Sequence, residues 1–343
     1  MNSFVLFNNK GGVGKTTLTF NIAHMLARIG QRTVVLDYDP QSNISAIFLK
    51  EEELFDIWED QSRRARTVFQ CIDPVRRGKG DVLDPELVPV ADGLWLLPGH
   101  LNLGRFEQVL AEEWPKKADA NNERALDVTT ALDVLSNKAA DMVGADVLIL
   151  DVGPSLGALN RAALLCCDAV VLPLAPDLFS LQGMRNVGPT LREWRADWST
   201  VRARHMSGRP QAGLKPHEFI PIGYVVQQHL ARADRPVASY ARWAAQIPEV
   251  FREDVLAEPK RNQFQSLEGD PYCIATIKHF ASLVPIAQLA RKPMFDLKQV
   301  DGIGGGQAQS VVKCRQAFET LAREIVNRLE RVGEQADHAP HRG

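Results

Sequence analysis

A run of eight residues near the start of the chain, KGGVGKTT at positions 10–17, constrains the fold more than any other feature. A short apolar segment, residues 4–7, precedes it, and apolar residues at three- and four-residue spacing follow it, as is typical of a helix. A glycine at position 30 is expected to end this helix, and a second apolar segment, TVVLD, occupies 33–37. Strand, glycine loop, helix and strand in this order predict a parallel βαβ unit and therefore an α/β fold.

The glycines make this loop suitable for binding phosphate, because a backbone without Cβ atoms can aim successive N–H groups at phosphate oxygens beside a helix N-terminus. We predict that Lys15 reaches the β- and γ-phosphates of a nucleotide and that the Thr16 hydroxyl ligates Mg²⁺. A dinucleotide-binding loop is excluded, because Thr17 stands where that motif requires a sixth-position glycine or alanine. The residues expected to contact the nucleotide are Lys10, Gly11, Gly12, Val13, Gly14, Lys15, Thr16 and Thr17.

The first position of the loop departs from the usual phosphate loop, because Asn9 replaces the opening glycine and a second lysine, Lys10, follows it. Lys10 has no obvious target within its own chain, although it lies on the outer arm of the loop near the expected γ-phosphate. It could instead reach a nucleotide in a second subunit and stabilise charge on the transferred phosphoryl group, as an arginine finger does. We therefore predict catalytic roles for both Lys10 and Lys15.

These residues, together with DYDPQSN at positions 37–43, resemble the deviant Walker A motif and the following motif of the ParA/MinD family of dimerising ATPases. The DxDPQ-x-N form is more similar to the partition branch of that family than to the MinD branch. The resemblance implies that Asp39 lies in switch I and helps to position the attacking water. An alternative from the spacing alone is that Asp37 and Asp39 only cap a helix that begins near Ser42.

Two further site residues follow predicted strands. Asp151 ends the apolar segment VLILD, which is the position of a Walker B aspartate, and it is expected to hold Mg²⁺ through a water molecule. The family's usual run is D-T-P-P-S-L-G, so Val152 and Gly153 depart from it, whereas the PSLG at 154–157 matches. Gln227 follows the predicted strand at 219–226, and the resemblance implies that it contacts the adenine.

We expect one P-loop NTPase domain over residues 1–332, with a mostly parallel, doubly wound sheet flanked by helices. Two stretches, about 50–144 and 190–280, exceed the family core and are interpreted as helical insertions on this domain. Residues 282–288 and 292–295 resemble the segment that closes the family's nucleotide pocket. The glycine run at 302–306 is interpreted as a flexible loop, and the polar tail at 333–343 is expected to be disordered.

Charge, cysteine content and hydropathy indicate the cellular compartment in which such a protein acts. The chain has 343 residues, a net charge of −2 and five cysteines, and its sequence contains no CxxC pair, which favours a reducing compartment over a disulfide framework. No apolar run approaches the roughly 18 residues that a membrane span requires. We therefore expect a cytoplasmic protein, associated with the nucleoid if it binds DNA.

The resemblance implies that ATP and Mg²⁺ lock two copies into a homodimer, that the dimer binds nonspecific DNA, and that a ParB-like adaptor stimulates hydrolysis during plasmid or chromosome partition. Residues 185–261 contain thirteen basic and eight acidic residues, which fits a DNA-binding surface, although a solvated face with internal ion pairs is the alternative. An apolar stripe is interpreted as the docked side of a C-terminal helix and not as a membrane anchor; it comprises Phe318, Leu321, Ile325, Leu329 and Val332.

Three other functions stay open on the sequence. The first is a MinD-like positioning ATPase, which would need a membrane-seeking terminus. The second is an ATPase subunit whose insertions dock an effector in a regulatory or defence assembly. The third is a nucleotide-binding scaffold without useful hydrolysis.

Overall fold

The computed structural model describes residues 1–60, 64–119, 122–206, 218–228, 237–260, 266–278, 280 and 282–337. Its centre is an eight-stranded sheet. The strands are β1 (Asn2–Leu6), β2 (Thr33–Asp37), β3 (Val88–Ala91), β4 (Leu94–Leu97), β5 (Val147–Asp151), β6 (Ala169–Leu174), β7 (Ile220–Gln228) and β8 (Cys273–Lys278).

Helices lie on both faces of the sheet. They are α1 (Lys15–Arg28), α2 (Asn43–Phe48), α3 (Glu51–Glu59), α4 (Val68–Arg77), α5 (Leu103–Glu113), α6 (Glu123–Val143), α7 (Ala158–Leu165), α8 (Leu178–Met206), α9 (Val237–Ala244), α10 (Ile247–Val250), α11 (Val284–Ala290) and α12 (Gly305–Asp337). Three short 3₁₀ turns and one π-helical turn, Phe251–Leu256, complete the described elements.

The order of the strands places the phosphate loop at the middle of the sheet. The order is β3-β4-β2-β5-β1-β6-β7-β8, and every neighbouring pair is parallel except β3 with β4. From β1 the chain therefore continues to β2, which lies on one side of β1 beyond β5. The later strand β6 pairs with β1 on its other side. Ligands of open α/β sheets bind at such a reversal, outside the carboxyl ends of the strands. The predicted fold class is confirmed.

The first insertion differs from the all-helical interpretation, because it also supplies β3 and β4. Leu94, Leu96 and Leu97 are buried in β4, which extends the sheet beside β2. The edge strand β3 contains Pro89, which is tolerated there because an edge strand has one unpaired side. Each strand has only four residues, too few for a period-two pattern to be recognised in the sequence.

Two hydrophobic cores form, one on each face of the sheet. One contains apolar residues of α4 to α8, and the other contains those of α1, α2, α3, α11 and α12. The apolar stripe of α12 is buried in the second core, which confirms the prediction of a docked helix. The helix begins at Gly305, so the glycine run is only partly a loop. Among the described helices, none combines the length and hydropathy that a membrane crossing requires.

Helix α8 connects the site edge of the sheet to the second insertion. It begins beside the phosphate loop, and its middle packs against the π-helical turn Phe251–Leu256. Gly188 makes this approach possible, since a Cβ at this position would meet the carbonyl oxygen of Asp254. The side chain of Arg192, one turn further along α8, donates to the same carbonyl.

We predict that Gly188→Ala lowers the free energy of unfolding by about 1–3 kcal/mol, because the added methyl group overpacks this contact and crowds the ring of Pro189. Gly306→Ala is the matched control, because Gly306 also lies in a helix but a Cβ there meets nothing within 4 Å. Helix propensity then favours alanine by up to about 1 kcal/mol. Chemical denaturation of both variants checks this contrast, and equal stability of the two would contradict the packing described for α8.

Candidate nucleotide-binding site

The loop between β1 and α1 has the backbone that a phosphate cradle needs. Gly12 and Gly14 adopt left-handed conformations, with φ of 74° and 75°, which glycine adopts without strain. Gly14 is the N-cap of α1, so the positive end of the helix dipole faces the loop. A Cβ added to Gly11 or Gly12 would meet nothing within 4 Å, so the loop borders open space at these two positions.

Lys15 is the buried cation of the site. It is 8% exposed, and its Nζ donates to the carbonyl of Asn8 over 3.1 Å, across the base of the loop. Burial lowers the pKa of Lys15, whereas the charges of Asp151 and Asp39 raise it. The lysine therefore lies within reach of two carboxylates and of the space that the loop encloses.

Three aspartates gather at the carboxyl ends of β2 and β5. Asp37 and Asp151 are aligned in the register of the two strands, and Asp39 follows two residues after the end of β2. All three are buried: Asp37 is 0%, Asp39 is 6% and Asp151 is 1% exposed. Burial raises the pKa of Asp37 to about 7, and it also raises the pKa of Asp151 well above its usual value.

Asp37 and Asp39 have different hydrogen bonds. Asp37 accepts from the backbone N–H of Ser45 at 3.1 Å and from its hydroxyl at 2.5 Å, which ties it to the first turn of α2. The alternative that an aspartate supports a helix beginning near Ser42 therefore describes Asp37. Asp39 instead accepts from the backbone N–H of Gln41 at 2.9 Å, in the turn before α2.

Asp151 has the arrangement expected of a residue that holds a cation. Its Oδ1 accepts from the hydroxyl of Thr19 at 3.2 Å, while its Oδ2 is buried without a hydrogen-bond partner. A buried carboxylate oxygen without a partner is unfavourable unless a cation or water joins it. No cluster of three His, Cys, Asp or Glu side chains able to hold a metal occurs in the described part of the chain. Mg²⁺, which keeps waters and phosphate oxygens as ligands, suits such a site, with Asp151 and Thr16 as the protein groups.

Lys10 does have a target within its own chain, which corrects the expectation from the sequence. Its Nζ lies 2.7 Å from Oδ2 of Asp177, and the ring centroid of Phe179 is 5.6 Å from the same nitrogen. Asp177 also accepts from the backbone N–H of Ser180 at 2.8 Å, in the first turn of α8. Hydrogen bonds from Lys10 and Ser180 lower the pKa of Asp177, although burial opposes them.

Two further residues predicted from the sequence, Gln227 and Thr17, have contacts around the loop. The side-chain amide of Gln227 donates to the carbonyl of Val13, and a Cβ on Gly14 would meet the Gln227 amide at 2.9 Å, so Gln227 packs directly on the loop. Thr17 lines a small cleft with Asn21 and Met294. Asn21 donates to the carbonyl of Thr17 at 2.8 Å and accepts from the backbone N–H of Met294 at 2.9 Å. The segment at 292–295 is thereby held beside the loop.

Some residues of this site were not singled out from the sequence, namely Asn8, Thr19, Ser45, Asn160 and Asp177. Asp177 follows β6 at the same edge of the sheet as Lys10, so the rule that ligands gather at carboxyl ends could have indicated it. The other four bond to backbone groups or to a carboxylate, and they carry no recognisable spacing.

Comparison with known proteins agrees with this architecture. A family model described as an AAA domain matches residues 1–200, more than half of the chain. The chromosome-partitioning ATPase Soj of Thermus thermophilus is 32% identical over 192 residues, which cover 56% of this chain and 61% of that protein. The sporulation initiation inhibitor protein Soj of Bacillus subtilis is 29% identical over 188 residues, 54% of this chain and 62% of that protein. The chain thus spans somewhat over three fifths of the length of these relatives.

Solved structures extend the likeness of fold to nearly the whole chain. A protein from Corynebacterium diphtheriae superimposes with a TM-score of 0.66 at 24% identity, covering 96% of this chain and 99% of that one. The cell division ATPase MinD of Pyrococcus furiosus superimposes with a TM-score of 0.52 at 19% identity, covering 95% and 98%. From the family match, supported by the relatives and the shared fold, the chain belongs to the ParA/MinD family of P-loop ATPases.

Proposed function

We propose that this protein is an ATP hydrolase that dimerises on binding ATP with Mg²⁺, binds nonspecific DNA as the dimer, and is reset by hydrolysis in plasmid or chromosome partition. The observation that carries the nucleotide site is the buried Lys15 between an open glycine loop and the carboxylates of Asp39 and Asp151. A lysine in this place balances part of the negative charge of both the aspartates and the phosphates.

In this proposal each residue of the nucleotide site has a separate role. The backbone of residues 10–14 and the Lys15 ammonium bind the phosphates, and Thr16 and Asp151 hold the cation, which neutralises charge on the transferred phosphoryl group. Asp39 orients the attacking water. Gln227, which packs on Val13 and Gly14, fixes the loop beside the base of the nucleotide and contacts the adenine.

Dimerisation is proposed from the surroundings of Lys10. Lys10 lies at the rim of the loop, and its side chain is 28% exposed, so its ammonium can exchange Asp177 for another anion. The Phe179 ring, whose centroid is 5.6 Å from the Lys10 Nζ, is 66% exposed. Two further apolar side chains are exposed: Leu178, at the start of α8, is 46% and Leu156, in the loop after β5, is 39% exposed. We propose that a second copy covers these side chains and that Lys10 then leaves Asp177 for the γ-phosphate held by that copy.

DNA binding is proposed from the partition relatives and from the basic excess of residues 185–261. Within the described part of this stretch, most basic side chains contact acids or carbonyls; these are Arg185, Arg192, Arg195, Arg202, Arg252 and Lys260. Arg242 is exposed and stacks on Trp243. The side chain of Arg204 and the residues Arg209, Lys215, Arg232, Arg235 and Arg261 lie outside the described set.

The internal ion pairs favour one second candidate, an ATPase whose insertions dock an effector protein in a regulatory or defence assembly. In that case the insertions at about 50–144 and 190–280 carry the specificity, and DNA is not the surface that the dimer binds. For both candidates we propose that an adaptor protein, ParB-like or other, stimulates hydrolysis.

We predict that Lys15→Ala and Lys10→Ala separate binding from hydrolysis. Loss of the buried Lys15 cation leaves the phosphates facing the carboxylates, so nucleotide affinity should fall at least about a hundredfold. Lys10→Ala should keep ATP affinity within a few-fold and lose most turnover, because its cation acts on the transition state. Titration calorimetry with Mg²⁺-ATP and a phosphate-release assay measure the two quantities. Full ATP affinity in Lys15→Ala would show that the loop is not the phosphate site.

We predict that binding to an unrelated DNA duplex requires slowly hydrolysed ATP, is absent with ADP, and weakens steeply between 50 and 200 mM salt, since phosphate contacts release counterions. Lys15→Ala is the matched control, because it retains every basic residue of the 185–261 stretch and should gain no DNA binding with ATP. Fluorescence anisotropy of a labelled duplex provides the measurement. A protein that dimerises with ATP but ignores DNA at low salt would favour the effector candidate.

A further inference from the structure

The loop after the Walker B strand, residues 152–157, is held by one buried amide. Asn160, in the first turn of α7, is 2% exposed. Its Nδ2 donates to the carbonyl of Gly153 at 2.8 Å and to the carbonyl of Ser155 at 2.7 Å, with the Ser155 hydroxyl at 3.2 Å. Two backbone carbonyls two residues apart thus accept from the same amide group, which fixes the path of the loop between them.

The same loop lies directly against Asp39. A Cβ placed on Gly153 would be 3.2 Å from Oδ1 of Asp39 and 3.4 Å from its Cγ, so the bare backbone of Gly153 is the surface on which this carboxylate rests. The usual family run has a proline at this position, and a side chain there would occupy the space beside Asp39. Gly153 therefore sets a separation between the two loops that is particular to this chain.

Asp39 is buried and depends on the loops around it for its position. It is 6% exposed, and unlike Asp37 it is not tied to α2 through Ser45. Its own hydrogen bonds come from one backbone N–H, that of Gln41, at the flank of the carboxylate. The Gly153 backbone blocks displacement on a further side.

The helix that carries Asn160 is firmly anchored away from the site. Arg161, the next residue, places its guanidinium carbon 4.0 Å from the ring centroid of Trp114 and 5.9 Å from that of Trp194. Both tryptophans are buried, one after α5 and one in α8. These contacts hold the first turn of α7 in place, so the Asn160 amide holds the 152–157 loop in one position.

We infer that Asn160 and Gly153 are positioning residues for hydrolysis: Asn160 fixes the 152–157 loop, and Gly153 in that loop fixes the Asp39 carboxylate against which the attacking water is oriented. This inference rests on the proposed ATPase function and adds two residues to it. The contacts of Asn160 are with loop carbonyls and those of Gly153 are with Asp39, so we expect their substitution to reduce turnover and to leave nucleotide binding intact.

Two variants and one control test it in the full-length protein. Gly153→Ala adds a methyl group against Asp39, and Asn160→Asp keeps the size of the side chain but removes both N–H donors. Gly157→Ala changes the same loop, but its Cβ meets the flexible carboxylate of Glu107 and not Asp39. We expect Gly153→Ala and Asn160→Asp to lower kcat about tenfold or more, since small misplacements of a catalytic group reduce rate strongly, and Gly157→Ala to stay within about threefold of wild type.

Mg²⁺-ATP affinity by calorimetry and kcat per nucleotide-binding site are measured together, so that a loss of folded protein is not counted as a loss of turnover. Unchanged affinity with reduced kcat in both variants is the expected result. Equal kcat for Gly153→Ala and Gly157→Ala overturns the inference, and this comparison stands even if Asn160→Asp fails to fold. A wild-type protein that binds ATP but never hydrolyses it overturns the proposed function itself, and the inference with it.

Discussion

The site is organised around an excess of buried negative charge. Parallel pairing of β2 with β5 aligns Asp37 with Asp151, and the turn after β2 adds Asp39, while Lys15 is the buried cation that opposes them. Burying unbalanced charge is unfavourable, and the raised pKa values of Asp37 and Asp151 are one response to it. A divalent cation is the other response, and it would bring bound phosphates with it. The charge pattern thus accounts for why a nucleotide with Mg²⁺ is the ligand that suits this edge of the sheet.

The second lysine of the loop, Lys10, is held by a more exposed ion pair. Lys10 is paired with Asp177 at the rim of the loop, where both side chains keep some contact with water. The pair holds Lys10 in place, and because it keeps some contact with water, a stronger anion can replace Asp177 as the partner of the lysine. A triphosphate in a facing copy is such an anion. In the proposed dimer, Lys10 would therefore exchange Asp177 for the triphosphate of the facing copy.

The part of the structure that the sequence predicted is the part with strong local patterns. The buried strands β1, β2, β5, β6 and β7 are continuous apolar segments, and KGGVGKTT lies where a strand turns into a helix. The short strands β3 and β4 were not predicted, and neither was β8, because segments of four to six residues are too short to show a distinctive period. Lys10 with Asp177 and Asp39 with Gly153 are contacts between residues more than a hundred positions apart. Only the folded sheet brings such residues together, so spacing along the chain could not reveal them.

The central claim is that each hydrolytic site is composed of two copies, with Lys10 supplied by the partner. Mixing the variants Lys10→Ala and Asp39→Ala, each inactive alone, tests this most directly. In a mixed dimer, the copy that lacks Lys10 keeps its own Asp39 and receives Lys10 from the other copy. A phosphate-release assay of the equal mixture should recover about a quarter of wild-type turnover, because half of the dimers are mixed and each has one complete site. Turnover that stays at the level of the separate variants would contradict a shared site. It would indicate that Lys10 acts on the nucleotide bound by its own chain.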